Sequence, residues 1–160
     1  MPEFDLRPRP SVVAAQILPR ENGTFEWSKT GRWALTVGVY DHNELLIDFI
    51  AYFSDDPSRW FLRRRTESPV LGARDIAFAV DQQQPVALFS TPDLWLSGHC
   101  GRSWRSIACI VDWSVNLAPL FDGVSRIECD SPELQKRLRR ALREWEPKIT
   151  VPRRGTRHAA

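Results

Sequence analysis

Long apolar runs are missing from this chain. The best stretch, Leu45 to Phe53, is interrupted by Asp48 and falls far short of the roughly 18 residues a membrane-spanning helix needs. No membrane span is expected. The first residues, Met1-Pro2-Glu3-Phe4-Asp5, hold no basic stretch followed by an apolar one, so no secretory leader is expected. Cysteine is scarce. Cys100, Cys109 and Cys129 form an odd, widely spaced set without a Cys-x-x-Cys pair, which argues against a zinc site and a disulfide framework. Reduced thiols suit a cytoplasmic chain. Cys109 within Ser106 to Val111, and Cys129 just after Ile127, read as small core hydrophobes. The 8 glycines are scattered. They build no phosphate-binding loop and no dinucleotide fingerprint, and a His-Glu-x-x-His zinc motif is absent. Lysine is rare as well: the 22 basic residues are almost all arginine, the fork-shaped binder of phosphates and carboxylates.

What is present is an ordinary globular composition. The chain has 160 residues, 42% hydrophobic and 26% charged, enough to bury a core without a metal or disulfide. The net charge of +2 conceals a division. Residues 131–160 carry nine basic side chains against three acidic ones, a balance of +6, which leaves −4 for residues 1–130. The basic C-terminal end is therefore the first place to look for an anionic partner.

Pro2, Pro8 and Pro10 oppose regular structure at the start. Ser11 to Leu18 suits either a short helix or a strand. Asn22-Gly23 is a turn signal, because both residues tolerate positive φ. Trp33, Leu35, Val37 and Val39 then alternate on one face of a strand from Arg32 to Tyr40. Asp41 to Glu44 makes a turn. Leu45 to Phe53 alternates again, with Leu45, Ile47, Phe49, Ala51 and Phe53 on one face. Asp55 to Ser58 turns once more, and Trp60 to Arg65 forms a third strand whose Arg63, Arg64 and Arg65 suit a sheet edge. Short turns between strands imply an antiparallel meander.

The second half changes rhythm. Apolar runs at Val86 to Ser90, Ile107 to Val111 and Val124 to Glu128 alternate with helical segments. One of these opens at Thr91-Pro92-Asp93 with a hydroxyl cap. One covers Trp113 to Phe121, and one opens at Ser131-Pro132-Glu133. The last has an apolar stripe of Leu134, Leu138, Ala141, Leu142 and Trp145 and ends at Pro147. Strand and helix in alternation is the order of a parallel unit. The expected fold is α+β verging on α/β, an N-terminal antiparallel meander (residues 1–74) packed with a C-terminal βαβαβα unit (residues 75–150) in one compact domain. The halves could share one sheet, with Asp55 to Arg74 bridging them. Residues 151–160 read as a basic flexible tail.

Opposite its apolar stripe the final helix carries Lys136, Arg137, Arg139, Arg140 and Arg143. With Arg153 and Arg154 of the tail and Arg63, Arg64 and Arg65, these could neutralise phosphates, although a solvated helix face carries the same pattern. Trp60 and Phe61 beside those arginines suit a single-strand platform or a charged edge strand, and alternation sends one of the two rings to the core. Asp112 and Asp130 follow two apolar runs read as neighbouring parallel strands. They could share a Mg²⁺ or merely cap the segments that follow. His99 beside Cys100 could lower the thiol to a nucleophilic thiolate, but no third orienting group accompanies the pair; His99 could also serve as an acid or base. Trp33, Trp95, Trp113 and Trp145 are core candidates, and Trp27 and Trp104 surface candidates.

Residues 86–145 resemble a degenerate Toprim domain, the metal-binding α/β unit of bacterial primases and topoisomerases. Ser90 and Thr91 stand where that family places a Glu. Cys129-Asp130-Ser131-Pro132 stands where it places an Asp-x-Asp. The chain as a whole is similar to uncharacterised bacterial prophage and mobile-element proteins through Leu46-Ile47-Asp48-Phe49-Ile50-Ala51, Asp56-Pro57-Ser58-Arg59-Trp60 and Ser90-Thr91-Pro92-Asp93-Leu94-Trp95-Leu96. The leading expectation is a non-catalytic binding protein of such an element, without a cofactor. It would contact nucleic acid or an acidic protein surface through its basic end. The alternatives are a small Mg²⁺-dependent phosphate-ester enzyme using Asp112, Asp130 and His99, and an inhibitor or scaffold docking onto another protein.

Overall fold

A computed structural model describes residues 10–64, 69–100 and 106–144. Its first layer follows from alternation and turn chemistry. Residues 11–18, open between helix and strand, are drawn into a strand by pairing: β1 (Val12–Pro19) lies between β2 (Phe25–Trp27) and β3 (Arg32–Tyr40). The β1–β2 connection turns at Asn22-Gly23 as expected. Gly23 has φ +79°, and Asn22 Oδ1 accepts hydrogen bonds from the Thr24 amide (3.0 Å) and hydroxyl (2.7 Å). β4 (Leu46–Phe53) and β5 (Asp56–Leu62) complete an antiparallel sheet of order β2-β1-β3-β4-β5. Between β3 and β4, Asp41 Oδ1 accepts from the amides of Asn43 and Leu45. A register shift opposite Val39 and Tyr40 breaks the simple alternation of β4. Ile47 thereby joins the face of Ile50, not that of Phe49. The next turn is tighter than expected, for β5 already begins at Asp56.

The sheet curls until its ends meet. The Leu62 amide donates to Gly23 O at 3.0 Å, and Thr24 bridges to Leu62. The concave face encloses Ile17, Phe25, Ala34, Ala51 and Phe61. The convex face presents Val37, Val39, Ile50 and Tyr52 to the second layer. Trp33 shares the convex face but is 64% exposed, so its expected core role does not hold. Alternation selects the face, but only an overlying layer buries it. Here that layer does not reach the start of β3.

The second layer is a separate sheet, so the halves stack and do not share one. Its order is β6 (Val70–Leu71), β8 (Ser106–Ile110), β7 (Val86–Phe89), β9 (Ile127–Cys129). β7 runs parallel to both neighbours, and β6 is antiparallel to β8. One face packs Trp95 of α2 (Pro92–Cys100) with Ile107, Cys109 and the convex face of the first sheet. The other face is covered by α1 (Ala73–Asp81) and α3 (Pro132–Glu144), through Ile76, Ala79, Leu134 and Leu138. β8 is buried along its whole length, as a strand covered on both faces must be. Cys109 is fully buried and Cys129 packs at the margin of the core, the filler roles read from their neighbours.

Two features depart from expectation. β6 and α1 were not foreseen. Gly72 makes them possible by entering α1 at φ +85°, with the Ile107 carbonyl pressed against the place a Cβ would occupy. The helix expected over Trp113 to Phe121 is instead a loop with one tight turn at Pro119–Phe121. Asp112 and Asn116 side chains take the amides of Ser114 and Ala118, offering the backbone an alternative to a helix. At the start of α2, Thr91 Oγ1 donates to Asp93 Oδ1.

Candidate binding surface and cleft

α3 starts where expected, with Ser131 Oγ accepting from the Leu134 amide at 3.2 Å. Leu134 and Leu138 are buried, and Ala141 and Leu142 pack beside them. Trp145 lies outside the described residues. The opposite face exposes Lys136, Arg137, Arg139, Arg140 and Arg143. Four of these, with Gln135, line a shallow groove of about 480 Å³. Ion pairs among the described residues join Arg20 to Glu26, Arg32 to Asp55, Arg74 to Glu44 and Arg126 to Glu128. None involves α3, so its charges remain available to an anion. Arg137 differs from the rest. Its guanidinium stacks 4.1 Å from the centre of the Trp113 ring, and burial there pulls its pKa below the usual arginine value.

The other arginine group is elsewhere. β5 is the terminal strand of its sheet, but it ends at Leu62, short of the arginines expected to guard its edge, and Leu62 meets Gly23 and Thr24 where the sheet closes. Beyond it the Arg63 amide donates to Phe49 O at 2.8 Å, and the Arg64 amide donates to the Asp48 carboxylate at 3.0 and 3.1 Å. Asp48 is buried, and desolvation raises its pKa against the pull of the Phe49 and Arg64 amides and of the Arg64 and Arg63 charges. Arg65, Arg153, Arg154 and Trp104 lie outside the described residues.

The structure does not bring the expected metal ligands Asp112 and Asp130 and the expected acid or base His99 together. Asp112 and Asp130 follow β8 and β9, and β7 runs between those strands. They are not neighbours, as the order of apolar runs had suggested. Two strand spacings amount to about 10 Å. Each carboxylate is also committed locally. Asp130 Oδ2 accepts from the Ser90 amide (2.7 Å) and hydroxyl (2.8 Å), tying the end of β9 to the end of β7. Asp112 Oδ1 accepts from the Ser114 amide (2.9 Å) and hydroxyl (2.6 Å). His99 packs edge-on against Trp95, ring centres 4.4 Å apart, and lines a different cleft with Tyr40 and Asp75. Cys100 is exposed. Among the described residues no three His, Cys, Asp or Glu side chains gather as a metal site.

Asp112 instead belongs to a cleft of about 390 Å³ between the two layers, where Trp60, Arg59, Trp113 and Arg137 also converge. Phe61 is the ring of its pair that enters the concave core of the first sheet. Trp60 is half-buried and anchors its indole N–H on Val111 O at 2.8 Å. Arg59 and Trp113 were not singled out as a site from the sequence, since nothing local ties residue 59 to residues 112–113. No protein family, curated protein or solved structure matches the chain.

Proposed function

We propose that this chain is a non-catalytic binding protein of a phage or mobile element, and that it holds nucleic acid on the cationic face of α3. The observation carrying this reading is a row of five exposed cations on one helix face, none held in an ion pair among the described residues. Cations spaced along a helix can each displace a condensed counterion from a phosphate backbone, which gives affinity without sequence information. The Mg²⁺-dependent enzyme reading is less favoured, because β7 separates Asp112 from Asp130.

The test is fluorescence anisotropy of the full chain with single-stranded and duplex oligonucleotides at several salt concentrations. With four or five phosphate contacts, the slope of log affinity against log salt is about −3 on single strands, and reversing Arg139 and Arg140 to Glu flattens it by about 1.4. No binding at low salt, or a slope indifferent to those reversals, refutes the reading. Binding to poly-glutamate in preference to oligonucleotides would replace nucleic acid with an acidic protein.

A second reading has its own observation. Val12, Leu18 and Trp33 share the convex face of the first sheet and are 42%, 50% and 64% exposed. Apolar area of this kind suits a protein partner, as an inhibitor or scaffold would use. A nuclease-resistant partner retained by the wild type and lost with Trp33→Glu would support that reading.

A further inference from the structure

A trough of about 740 Å³ runs between α1, the turn joining β3 to β4, and the tight turn at Pro119–Phe121. Its apolar lining comes from both layers: Ile47 of the first sheet, Ile76 and Val80 of α1, and Leu120 of the tight turn. Ile47, Val80 and Leu120 are only half-buried. Three carboxylates, Asp41, Asp81 and Asp122, line the trough as well, and no lysine or arginine does. None of the three is held in an ion pair among the described residues. Hydrogen bonds from the Leu45 and Asn43 amides lower the pKa of Asp41, which keeps it charged at neutral pH. Asp81 is the last residue of α1, where the helix carbonyls already gather negative charge. A carboxylate there does not serve the helix, but it does strengthen an attraction for cations.

Apolar surface of this kind calls for a partner, and the carboxylates select one that carries cations beside its apolar side chains. The cationic face of α3 in a second copy suits it poorly, because Lys136, Arg139, Arg140 and Arg143 present no apolar side chain between them. The chain itself contains a better match. Residues 145–160 lie outside the described residues, but the sequence Lys148-Ile149-Thr150-Val151-Pro152-Arg153-Arg154-Gly155-Thr156-Arg157 holds four cations and no acid. In an extended chain Ile149 and Val151 point to one side, and a following proline biases Val151 toward that conformation. Reach is sufficient. α3 ends at Glu144 and covers the same face of the second sheet as α1. Packed helices lie about 10 Å apart, and ten extended residues span about 33 Å.

We propose that residues 148–157 of this chain dock in the trough, with Ile149 and Val151 on its apolar lining and the arginines beside Asp81, Asp122 and Asp41. While docked, the segment withholds Arg153 and Arg154 from other anions. The docking does not depend on the nucleic-acid reading of α3, and the two stand or fall separately.

The test uses the full chain and a fluorescein-labelled synthetic peptide of residues 148–157, read by anisotropy. A full-length variant with Ile149→Asp and Val151→Asp cannot fill its own trough and should bind the peptide. The wild type should bind it about tenfold more weakly, since its own segment competes at the high effective concentration of a short tether. Adding Asp81→Lys and Asp122→Lys to the variant should weaken the peptide about tenfold, by turning two attractive pairs into repulsive ones. Both positions are exposed, and a cation suits the end of α1, so the fold should persist. A peptide with Ile149→Ser and Val151→Ser should bind several-fold more weakly to the same variant. No peptide binding overturns the dock. Binding indifferent to Asp81→Lys and Asp122→Lys places the peptide elsewhere and overturns it too. Equal binding of both peptides would mean attraction by charge alone and overturn the role of the trough. Equal binding by wild type and variant would leave the trough empty in the chain and overturn the proposal. A wild type that doubles in mass by light scattering as its peptide affinity falls would give the trough to the segment of a second copy, overturning docking within one chain.

Discussion

The two sheets of this protein bury themselves in different ways. The first curls on itself, and its concave side is rich in rings. Phe25 and Trp27 meet edge-on at 5.1 Å, Trp27 and Phe49 at 5.7 Å, and Phe53 and Phe61 at 5.9 Å. The second stays open and is covered, by helices on one face and by the first sheet and α2 on the other. A curled sheet satisfies most of its own edges and needs no helices, whereas an open sheet must borrow layers from its crossovers. Those crossovers leave strand ends, loops and a helix face free to meet a ligand. This is why the candidate surface belongs to the second half, whereas the cleft takes residues from both.

The largest effect should come from the core that joins the two. Ile50 is fully buried between the sheets. Ile50→Ala should cost about 2–5 kcal/mol and lower the Tm of the whole chain in one calorimetric transition. Two separated transitions would show that the halves fold independently. Gly72→Ala tests the link into the second layer. Its positive φ alone costs about 1–3 kcal/mol for a residue with a side chain. The added Cβ would also lie 2.2 Å from Ile107 O, so thermal unfolding should come markedly earlier. A neutral result would mean that α1 enters differently. Asp130→Ala removes the tie between β9 and β7 and should cost about 1 kcal/mol. It should speed hydrogen exchange at the Ser90 amide while the first sheet stays unchanged.

The smallest effect is a pH dependence in the first sheet. Burial raises the folded-state pKa of Asp48 above its usual 3.8. Its favourable share of stability is therefore present below that value and lost as pH rises through the raised pKa. Asp48→Asn should gain stability relative to the wild type over that rise. Parallel Tm curves for the two proteins between about pH 3.5 and 6 would contradict it.

Much of the fold was legible locally. Strand β3, the turn at Asn22-Gly23 and the apolar stripe of α3 each repeat within a few residues, and short-range periodicity reports short-range structure. The loop at 113–118 misled because its apolar spacing suits a helix, while Asp112 and Asn116 claim the amides a helix would use. α1 escaped notice because it is short, beginning after a glycine and exposing Phe78. The cationic surface was readable because its residues lie on one helix. The cleft was not, because its parts come from distant segments; Trp60 and Val111 meet across 51 positions of chain.

By itself the amino-acid sequence determined the alternating faces, the principal turns, the buried Cys109 and the charge of α3, all properties of neighbours along a chain. Only the tertiary structure decided that β7 separates β8 from β9, that the curled sheet leaves Trp33 in solvent, and that Trp60, Asp112, Trp113 and Arg137 line one cleft. Strand order and layer overlap depend on how crossovers pack, and no local pattern encodes which distant segments they bring together.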